Sequence, residues 1–217
     1  MKRRSLVLIT LFSGIIGFAA AGYFFTSVRG DVETGSSENP SVLVRPYSPI
    51  IGRHDAPVTI VEFFDPACEA CRAFYPYLKQ ILSRYPSDVR LVLRYAPLHQ
   101  GSEEAVRIIE AARLQDKFEQ VLTAVLAAQP EWADHKNPDL RIAWTAAASA
   151  GLDLDAAKKV WMSPEITSRI TQDVADLKTV KISGTPTFYI DGKLLKELGL
   201  QQLVNAVDGA VRAKQQP

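Results

Sequence analysis

The sequence has few cysteines and histidines, the usual ligands of structural zinc sites. Its 217 residues include only two cysteines, Cys68 and Cys71, and three histidines, His54, His99 and His135. A structural zinc site usually takes four Cys or His ligands that stand in two closely spaced pairs. The sequence offers no second Cys pair, and its histidines are scattered. We therefore predict no metal site.

The sequence also lacks an excess of charge of one sign. Its 25 basic and 24 acidic residues leave a formal net charge of +1. Binding to the phosphates of nucleic acid usually needs a clear basic excess, so no nucleic-acid partner is predicted. Hydrophobic residues make up 47% of the chain, which is enough to bury a sizeable core.

Charge is missing altogether from one segment near the N-terminus. The basic start Met1–Arg4 is followed by an uncharged, mostly apolar run from Ser5 to Val28. A basic start and a long apolar run indicate export through a membrane. The run has about the 20 residues that span a bilayer, so residues 1–28 are predicted to be a signal anchor. The small residues Ala19–Ala21 leave a cleaved signal peptide as the alternative.

The rest of the chain divides into a linker and one α/β domain. Residues 29–48 are rich in Gly, Ser, Glu, Asn and Pro and are predicted to form a flexible linker. In the domain, residues 49–217, strand patterns at Pro57–Phe64 and Asp88–Leu98 flank a helical pattern. This order suggests a right-handed crossover in a central sheet. A block of about residues 101–180 is predicted to be all helical, and a β-hairpin and a closing helix follow it.

The two cysteines stand where the first strand gives way to the helix. A thiol at a helix N-terminus lies beside backbone N–H groups without a helical partner, and its pKa can fall well below the free value of about 8.5. Cys68 has this position and is the predicted nucleophile. Cys71, one turn later, is the predicted resolving thiol. A disulfide between them would close a very small loop and stabilise the fold little, so we predict a redox-active disulfide.

Two stretches of the chain, GRHDAPVTIVEFFDPACEAC and GTPTFYIDGK, are separated by the helical block. Together they resemble the thioredoxin-fold thiol–disulfide oxidoreductases and, within them, the exported DsbA-like group. The resemblance implies a thioredoxin fold, in which flanking helices cover a central mixed sheet and the helical block is an insertion. It also implies that the catalytic dithiol needs no cofactor.

The resemblance assigns roles to three further residues. In that family the proline of the second motif is cis and faces the two cysteines; Pro186 matches it, and Thr185 precedes it. These two residues would bind extended substrate backbone. Family members also carry a buried acid six residues before the first cysteine, which assists proton transfer, and Glu62 holds this position. Its apolar neighbours predict burial, which would raise the pKa of the carboxyl.

The resemblance further implies an enzyme that exchanges disulfides with the cysteines of protein substrates. A membrane redox partner would recharge the cysteine pair. The chain would act on the periplasmic side of the bacterial inner membrane, held there by its N-terminal segment, or in the periplasm if that segment is cleaved. Two alternatives stay open: a dedicated thiol reductase for one client pathway, such as cytochrome maturation, and a non-catalytic peptide-binding chaperone.

The dipeptide between the cysteines bears on the direction of electron flow. Glu69–Ala70 departs from the Pro-His of the strong periplasmic oxidant and from the Gly-Pro of thioredoxin. The negative charge of Glu69 disfavours a nearby thiolate, so we expect a raised pKa at Cys68 and a less oxidising disulfide. A threonine directly before the family's cis-proline, here Thr185, likewise resembles the disulfide isomerases and their reductase relatives more than the oxidant. No catalytic role is predicted for His99, which follows the second strand.

Overall fold

A five-stranded sheet forms the centre of the computed structural model, which describes residues 40–216. Its strands are β1 (Ile50–Gly52), β2 (Val58–Phe64), β3 (Val89–Tyr95), β4 (Thr187–Ile190) and β5 (Lys193–Leu194). They lie in the spatial order β1-β3-β2-β4-β5. β2 and β3 are parallel, and all other neighbours pair antiparallel, so the sheet is mixed, as predicted.

Helices cover the sheet and connect its strands. In the described chain they are α1 (Pro40–Leu43), α2 (Glu69–Arg84), α3 (Ser102–Arg113), α4 (Phe118–Ala127), α5 (Gln129–Trp132), α6 (Leu140–Ser149), α7 (Leu154–Val160), α8 (Pro164–Thr179) and α9 (Leu200–Gln215). α2 joins the parallel strands β2 and β3, and α3 to α8 form the predicted helical block between β3 and β4. No helix within residues 40–216 is long and apolar enough to cross a membrane. The predicted signal anchor, residues 1–28, lies outside the described residues.

The central strand β2 is buried on both faces. Successive side chains of a strand point to opposite faces of the sheet. Ile60 and Phe64 belong to the larger core, which includes apolar residues of α2, α3 and α9. Val61 and Phe63 belong to the smaller core on the other face, which includes α8. Glu62 therefore shares the face of Ile60 and Phe64, toward α2.

The domain begins earlier than predicted. Leu43 is buried, Arg45 forms an ion pair of 2.5 Å with Asp176, and the hydroxyl of Tyr47 donates a hydrogen bond to Asp173. Residues 40–48 therefore pack on α8, and the predicted flexible linker, residues 29–48, is wrong in its C-terminal part. The composition of this segment gave no signal for these contacts because their partners lie more than 120 positions further along the chain.

The predicted hairpin is confirmed, but its second strand is short. Asp191 and Gly192 form the turn, and both have positive φ, 47° and 79°. This pair of conformations is typical of tight turns that match the twist of the two strands. β5 contains only two residues, and just beyond it the N–H of Leu195 donates a backbone hydrogen bond to the carbonyl of Phe188 in β4 (2.9 Å). The edge strand β1, which pairs with β3, was not predicted.

Candidate active site

Cys68 is the N-cap residue of α2 and follows the C-terminal end of β2. Its backbone is extended, with φ −78° and ψ 120°, and the helix begins at the next residue. Its Sγ lies 3.2 Å from the carbonyl oxygen of Thr185. Cys71 is fully buried, whereas Cys68 retains 6% of its surface, and both are free thiols. Cys68 is therefore the more accessible sulfur of the pair.

The surroundings of Cys68 stabilise its thiolate. Hydrogen bonding with the Cys71 side chain is the largest cause, and the backbone N–H groups of Cys71 and Ala70 add to it. These interactions lower the pKa of Cys68 to about 5, although partial burial opposes the charge. Burial raises the pKa of Cys71 well above its ordinary value. At neutral pH the pair therefore holds a thiolate at Cys68 and a thiol at Cys71.

The second motif meets the first across the sheet. The Thr185–Pro186 peptide bond is cis, and Pro186 is buried directly before β4. β4 pairs with β2 in a register that sets Phe188 opposite Glu62. This pairing carries the Thr185 carbonyl to the Cys68 sulfur, although the two residues are 117 positions apart.

Glu62 lies in the core, and its side chain is almost wholly removed from solvent. It is 1% exposed, and its strand neighbours are Leu93 and Phe188. Within residues 40–216, no group forms a hydrogen bond with its Oε1 atom. Burial and, second, the negative charge of Cys68 raise the pKa of this carboxyl well above its ordinary value, against an opposing hydrogen bond with Cys71. The predicted burial is confirmed, and such a carboxyl is able to hold a proton near neutral pH.

Asp65, which was not predicted as a site residue, organises the loop between β2 and α2. Its buried Oδ1 accepts hydrogen bonds from the backbone N–H of Ala67 (2.9 Å) and from the hydroxyl of Ser102. Its Oδ2 accepts from the N–H groups of Leu98 (2.8 Å) and His99 (3.1 Å). Leu98, His99 and Ser102 come from the segment after β3, so no local sequence pattern pointed to them. Asp65 thus ties the redox loop to the start of the helical block.

Two histidines stand near the first turn of α2. His99 Nδ1 lies 2.7 Å from Asp65 Oδ2, His135 Nε2 lies 2.7 Å from Glu69 Oε1, and the two rings meet edge to face at 5.5 Å between centroids. Burial lowers the pKa of His99, but the hydrogen bond that its imidazole donates to Asp65 and the charges of Asp65, Cys68 and Glu69 outweigh this effect and raise the pKa. His99, given no role by the sequence, therefore lies within electrostatic range of the nucleophile. In the described part of the chain, no group of three or more His, Cys, Asp or Glu side chains is arranged to hold a metal ion.

The expectation that Glu69 raises the pKa of Cys68 is wrong in its net direction. The pKa of Cys68 is lowered to about 5 because Cys71 and the helix N–H groups dominate. The carboxylate of Glu69 is bonded to His135, and this hydrogen bond lowers its own pKa. No local pattern predicts this pairing, since His135 lies 66 positions further on, in the helical block.

Comparison with known proteins gives the family. Residues 45–209 match the family described as Thioredoxin. The chain belongs to this family. A thioredoxin-like oxidoreductase from Silicibacter pomeroyi has a TM-score of 0.70 and 31% identity, over 83% of this chain and 100% of that one. BdbD from Bacillus subtilis (TM-score 0.67, 22% identity, 76% and 93% of the two chains) and alpha-DsbA1 from Wolbachia pipientis (0.67, 22%, 80% and 97%) share the fold. The resemblance to DsbA-like proteins and the predicted thioredoxin fold are confirmed.

The curated relatives of this thioredoxin-family chain are much longer proteins. Na⁺/H⁺ antiporter NhaA 3 of Salinispora tropica is 33% identical over 183 residues, which make up 81% of this chain and 27% of that protein. Na⁺/H⁺ antiporter NhaA 1 of Mycolicibacterium vanbaalenii is 30% identical over 69% of this chain and 25% of that protein. The chain thus spans about a quarter of the length of the curated relatives that it matches.

Proposed function

We propose that this thioredoxin-family protein is a thiol–disulfide oxidoreductase that donates its Cys68–Cys71 disulfide to cysteine pairs of exported proteins. The observation that carries the proposal is the state of Cys68, a helix N-cap thiol whose pKa is lowered to about 5. A stabilised thiolate stabilises the reduced form of the pair, and this makes the disulfide an oxidant. The lowered pKa of Cys68 therefore favours a more oxidising redox potential than the one expected from the charge of Glu69.

Disulfide transfer would take place in two steps. A substrate thiolate attacks the Sγ of Cys68, the S–S bond breaks, and its electron pair leaves on the sulfur of Cys71. Cys68 is then joined to the substrate in a mixed disulfide. A second substrate thiolate attacks the substrate sulfur of this bond and releases Cys68 as a thiolate, a good leaving group at a pKa of about 5. Two electrons pass from the substrate to the cysteine pair, and the substrate gains a disulfide.

Glu62 is the proposed proton donor of the first step. The departing sulfur of Cys71 needs a proton because burial raises the pKa of that thiol. Burial also raises the pKa of the Glu62 carboxyl well above its ordinary value, so this carboxyl is the proposed source of the proton. In the reverse direction Glu62 would take the proton from Cys71 before that thiol attacks the mixed disulfide.

The substrate segment around the reacting cysteine is proposed to lie along Thr185 and Pro186. The Thr185 carbonyl lies 3.2 Å from Cys68 Sγ, so a chain joined to Cys68 has to pass this loop. Pro186 also lines a groove with Leu194 and Leu198, whose side chains are half exposed. Apolar contacts of this kind suit substrates of varied sequence, because they need no matching hydrogen-bond donors or acceptors.

The proposed place of action is the outer face of a membrane, the periplasmic side of the bacterial inner membrane. The basic start and apolar run of residues 1–28 support export, with retention of the segment as an anchor. In the curated relatives a segment similar to this chain belongs to a protein named as an Na⁺/H⁺ antiporter, which also supports work at a membrane. A membrane redox partner would reoxidise the cysteine pair after each turnover.

The decisive experiment is equilibration of the full-length protein with glutathione buffers. A Cys68 pKa of about 5 lies between those of thioredoxin and the strongest oxidant, so a potential of about −180 mV is expected. A value near that of thioredoxin, about −270 mV, would instead support the reductase alternative. A Cys68→Ser, Cys71→Ser variant that keeps the biological effect of the protein would support the peptide-binding chaperone.

A further inference from the structure

Gln129 connects the helical block to the redox loop. It is the first residue of α5, it is 1% exposed, and its side chain reaches a loop 61 positions earlier. Its Nε2 donates hydrogen bonds to the carbonyl oxygens of Pro66 and Cys68, both at 2.9 Å. Its Oε1 accepts a hydrogen bond from Nε of Arg72 at 2.8 Å.

These three partners determine the orientation of the Gln129 amide. The carbonyl oxygens of Pro66 and Cys68 only accept hydrogen bonds, and Nε of Arg72 only donates. The NH₂ group must therefore face the loop, and the amide oxygen must face Arg72. A carboxylate at this position would turn oxygens toward the two carbonyls, and an apolar side chain would leave all three groups without this partner.

The amide acts on the backbone of the nucleophile itself. The carbonyl of Cys68 also accepts the first helical hydrogen bond of α2, from the N–H of Arg72 at 3.1 Å. The N–H of Cys68 donates to the carbonyl of Asp65 at 3.1 Å. The backbone of Cys68 is thus held at both its N–H and its C=O. This holds its Sγ in place against the N–H groups of Ala70 and Cys71.

We propose that Gln129 is a positioning residue of the redox centre, whose amide holds Pro66 and Cys68 so that the Cys68 sulfur stays against the N-terminus of α2. The inference rests on the proposed thiol–disulfide exchange, and it gives the helical block a part in setting the redox potential. Without the amide, the Cys68 backbone loses one of its three hydrogen bonds, and its sulfur is held less firmly against the helix N–H groups. The thiolate then loses stabilisation, and the disulfide becomes less oxidising.

The test compares Gln129→Met with Gln115→Met in the full-length protein. Gln115 is a matched control because its amide also bridges backbone groups: Nε2 donates to the carbonyl of Asp153 (3.0 Å), and Oε1 accepts from its N–H (2.9 Å). The readouts are the glutathione equilibrium constant and the pH profile of Cys68 alkylation. Gln129→Met should shift the equilibrium about fivefold toward the disulfide, the effect of roughly one net hydrogen bond, and raise the alkylation midpoint. Gln115→Met should change neither.

Two further variants keep the test decisive. Gln129→Glu should shift both readouts further than Gln129→Met, because it adds a negative charge beside the Cys68 carbonyl. Arg72→Lys keeps the positive charge but removes the Nε donor, so a smaller shift in the same direction is expected even if the Gln129 variants do not fold. If folded Gln129→Met keeps the wild-type equilibrium constant and alkylation midpoint, the inference is overturned. If Gln129→Met does not fold, the same result in Arg72→Lys overturns it. A wild-type pair that does not exchange with glutathione at all would instead overturn the proposed function.

Discussion

The Nε2 atom of His135 lies 2.7 Å from Oε1 of Glu69, the residue that follows the nucleophile. Both side chains are well exposed, at 61% and 59%, so the pair contributes little to stability. Its effect is on charge: the hydrogen bond lowers the pKa of Glu69 and draws the carboxylate toward the imidazole. The acid therefore opposes the Cys68 thiolate less than the sequence alone suggests.

Removal of this imidazole is expected to weaken the thiolate. In His135→Ala the Glu69 carboxylate has lost its partner, and the pKa of Cys68 should rise by about half a unit, as is typical of an exposed pair. The rate of Cys68 alkylation by iodoacetamide against pH measures this shift. His54→Ala, which changes an exposed histidine of another loop, is the control. The His135→Ala change is also made in a Glu69→Gln background. If it raises the pKa of Cys68 there by as much as in the wild type, the two residues are not coupled and the explanation is wrong.

The redox potential should change its pH dependence near the pKa of Cys68. Below about pH 5, reduction of the disulfide takes up two protons. Above about pH 5 it takes up only one proton, because Cys68 stays a thiolate. Each proton contributes about 30 mV per pH unit to a two-electron couple. The slope should therefore fall from about −60 to about −30 mV per pH unit, as measured in thiol–disulfide buffers of varied pH. An unbroken steep slope up to neutral pH would show an ordinary thiol at Cys68.

Glu62→Gln is expected to keep the fold and to slow the departure or attack of Cys71. The amide has nearly the shape of the protonated carboxyl but transfers no proton, so the rate should fall about 100-fold, a common size for general acid–base catalysis. Rapid-quench alkylation, which traps the free thiols and leaves the mixed disulfide intact, measures this step. Alkylation of Cys68 in the reduced protein should change little and serves as the control. Wild-type kinetics in the variant at neutral pH would remove Glu62 from the mechanism.

Glu62 should also make the stability of the oxidised protein depend on pH. Burial raises its pKa in the folded state above the ordinary value of 4.5. Below about pH 4.5 the carboxyl is protonated in both the folded and the unfolded state, so Glu62 does not make stability depend on pH there. Above that pH the unfolded chain releases the proton first, so the free energy of unfolding falls as the pH rises toward the folded pKa. Urea unfolding at acidic and neutral pH should show Glu62→Gln gaining stability over the wild type as the pH rises; a constant difference would contradict the buried, protonated carboxyl.

The buried ion pairs of Arg94 should carry much of the attachment of α8 to β3, the strand that contains Arg94. Arg94 is fully buried, and its Nη2 lies 2.8 Å from Asp173 and 2.5 Å from Asp176. Arg94→Met leaves two buried carboxylates without this partner and should cost about 3–5 kcal/mol in urea unfolding. Arg53→Met, which breaks an exposed pair with Asp55, should cost little. Equal losses in the two variants would show that burial of the Arg94 pairs has no special effect.

The sequence by itself determined which residues carry the chemistry of this protein and where they stand relative to the neighbouring strand and helix. An apolar strand followed by Cys68, Cys71 and a helical pattern places the first sulfur at a helix N-terminus, because hydrophobic periodicity and capping depend on neighbours along the chain. The burial of Glu62 follows for the same reason, from the apolar residues on both sides of it. The resemblance then pointed to Thr185 and Pro186 as the loop opposite the cysteines.

Only the tertiary structure decided what surrounds the thiolate. His135 and Gln129 reach Glu69 and Cys68 from the helical block, 66 and 61 positions away, and Asp65 bonds to a loop after the next strand. The composition of the segment before β1 likewise predicts a linker, because its partners lie in α8, more than 120 positions away. Electrostatic and hydrogen-bond energies depend on distances of a few ångströms in space, and the sequence shows separations only along the chain. The sign of the charge effect at Cys68 therefore became visible only in the folded structure.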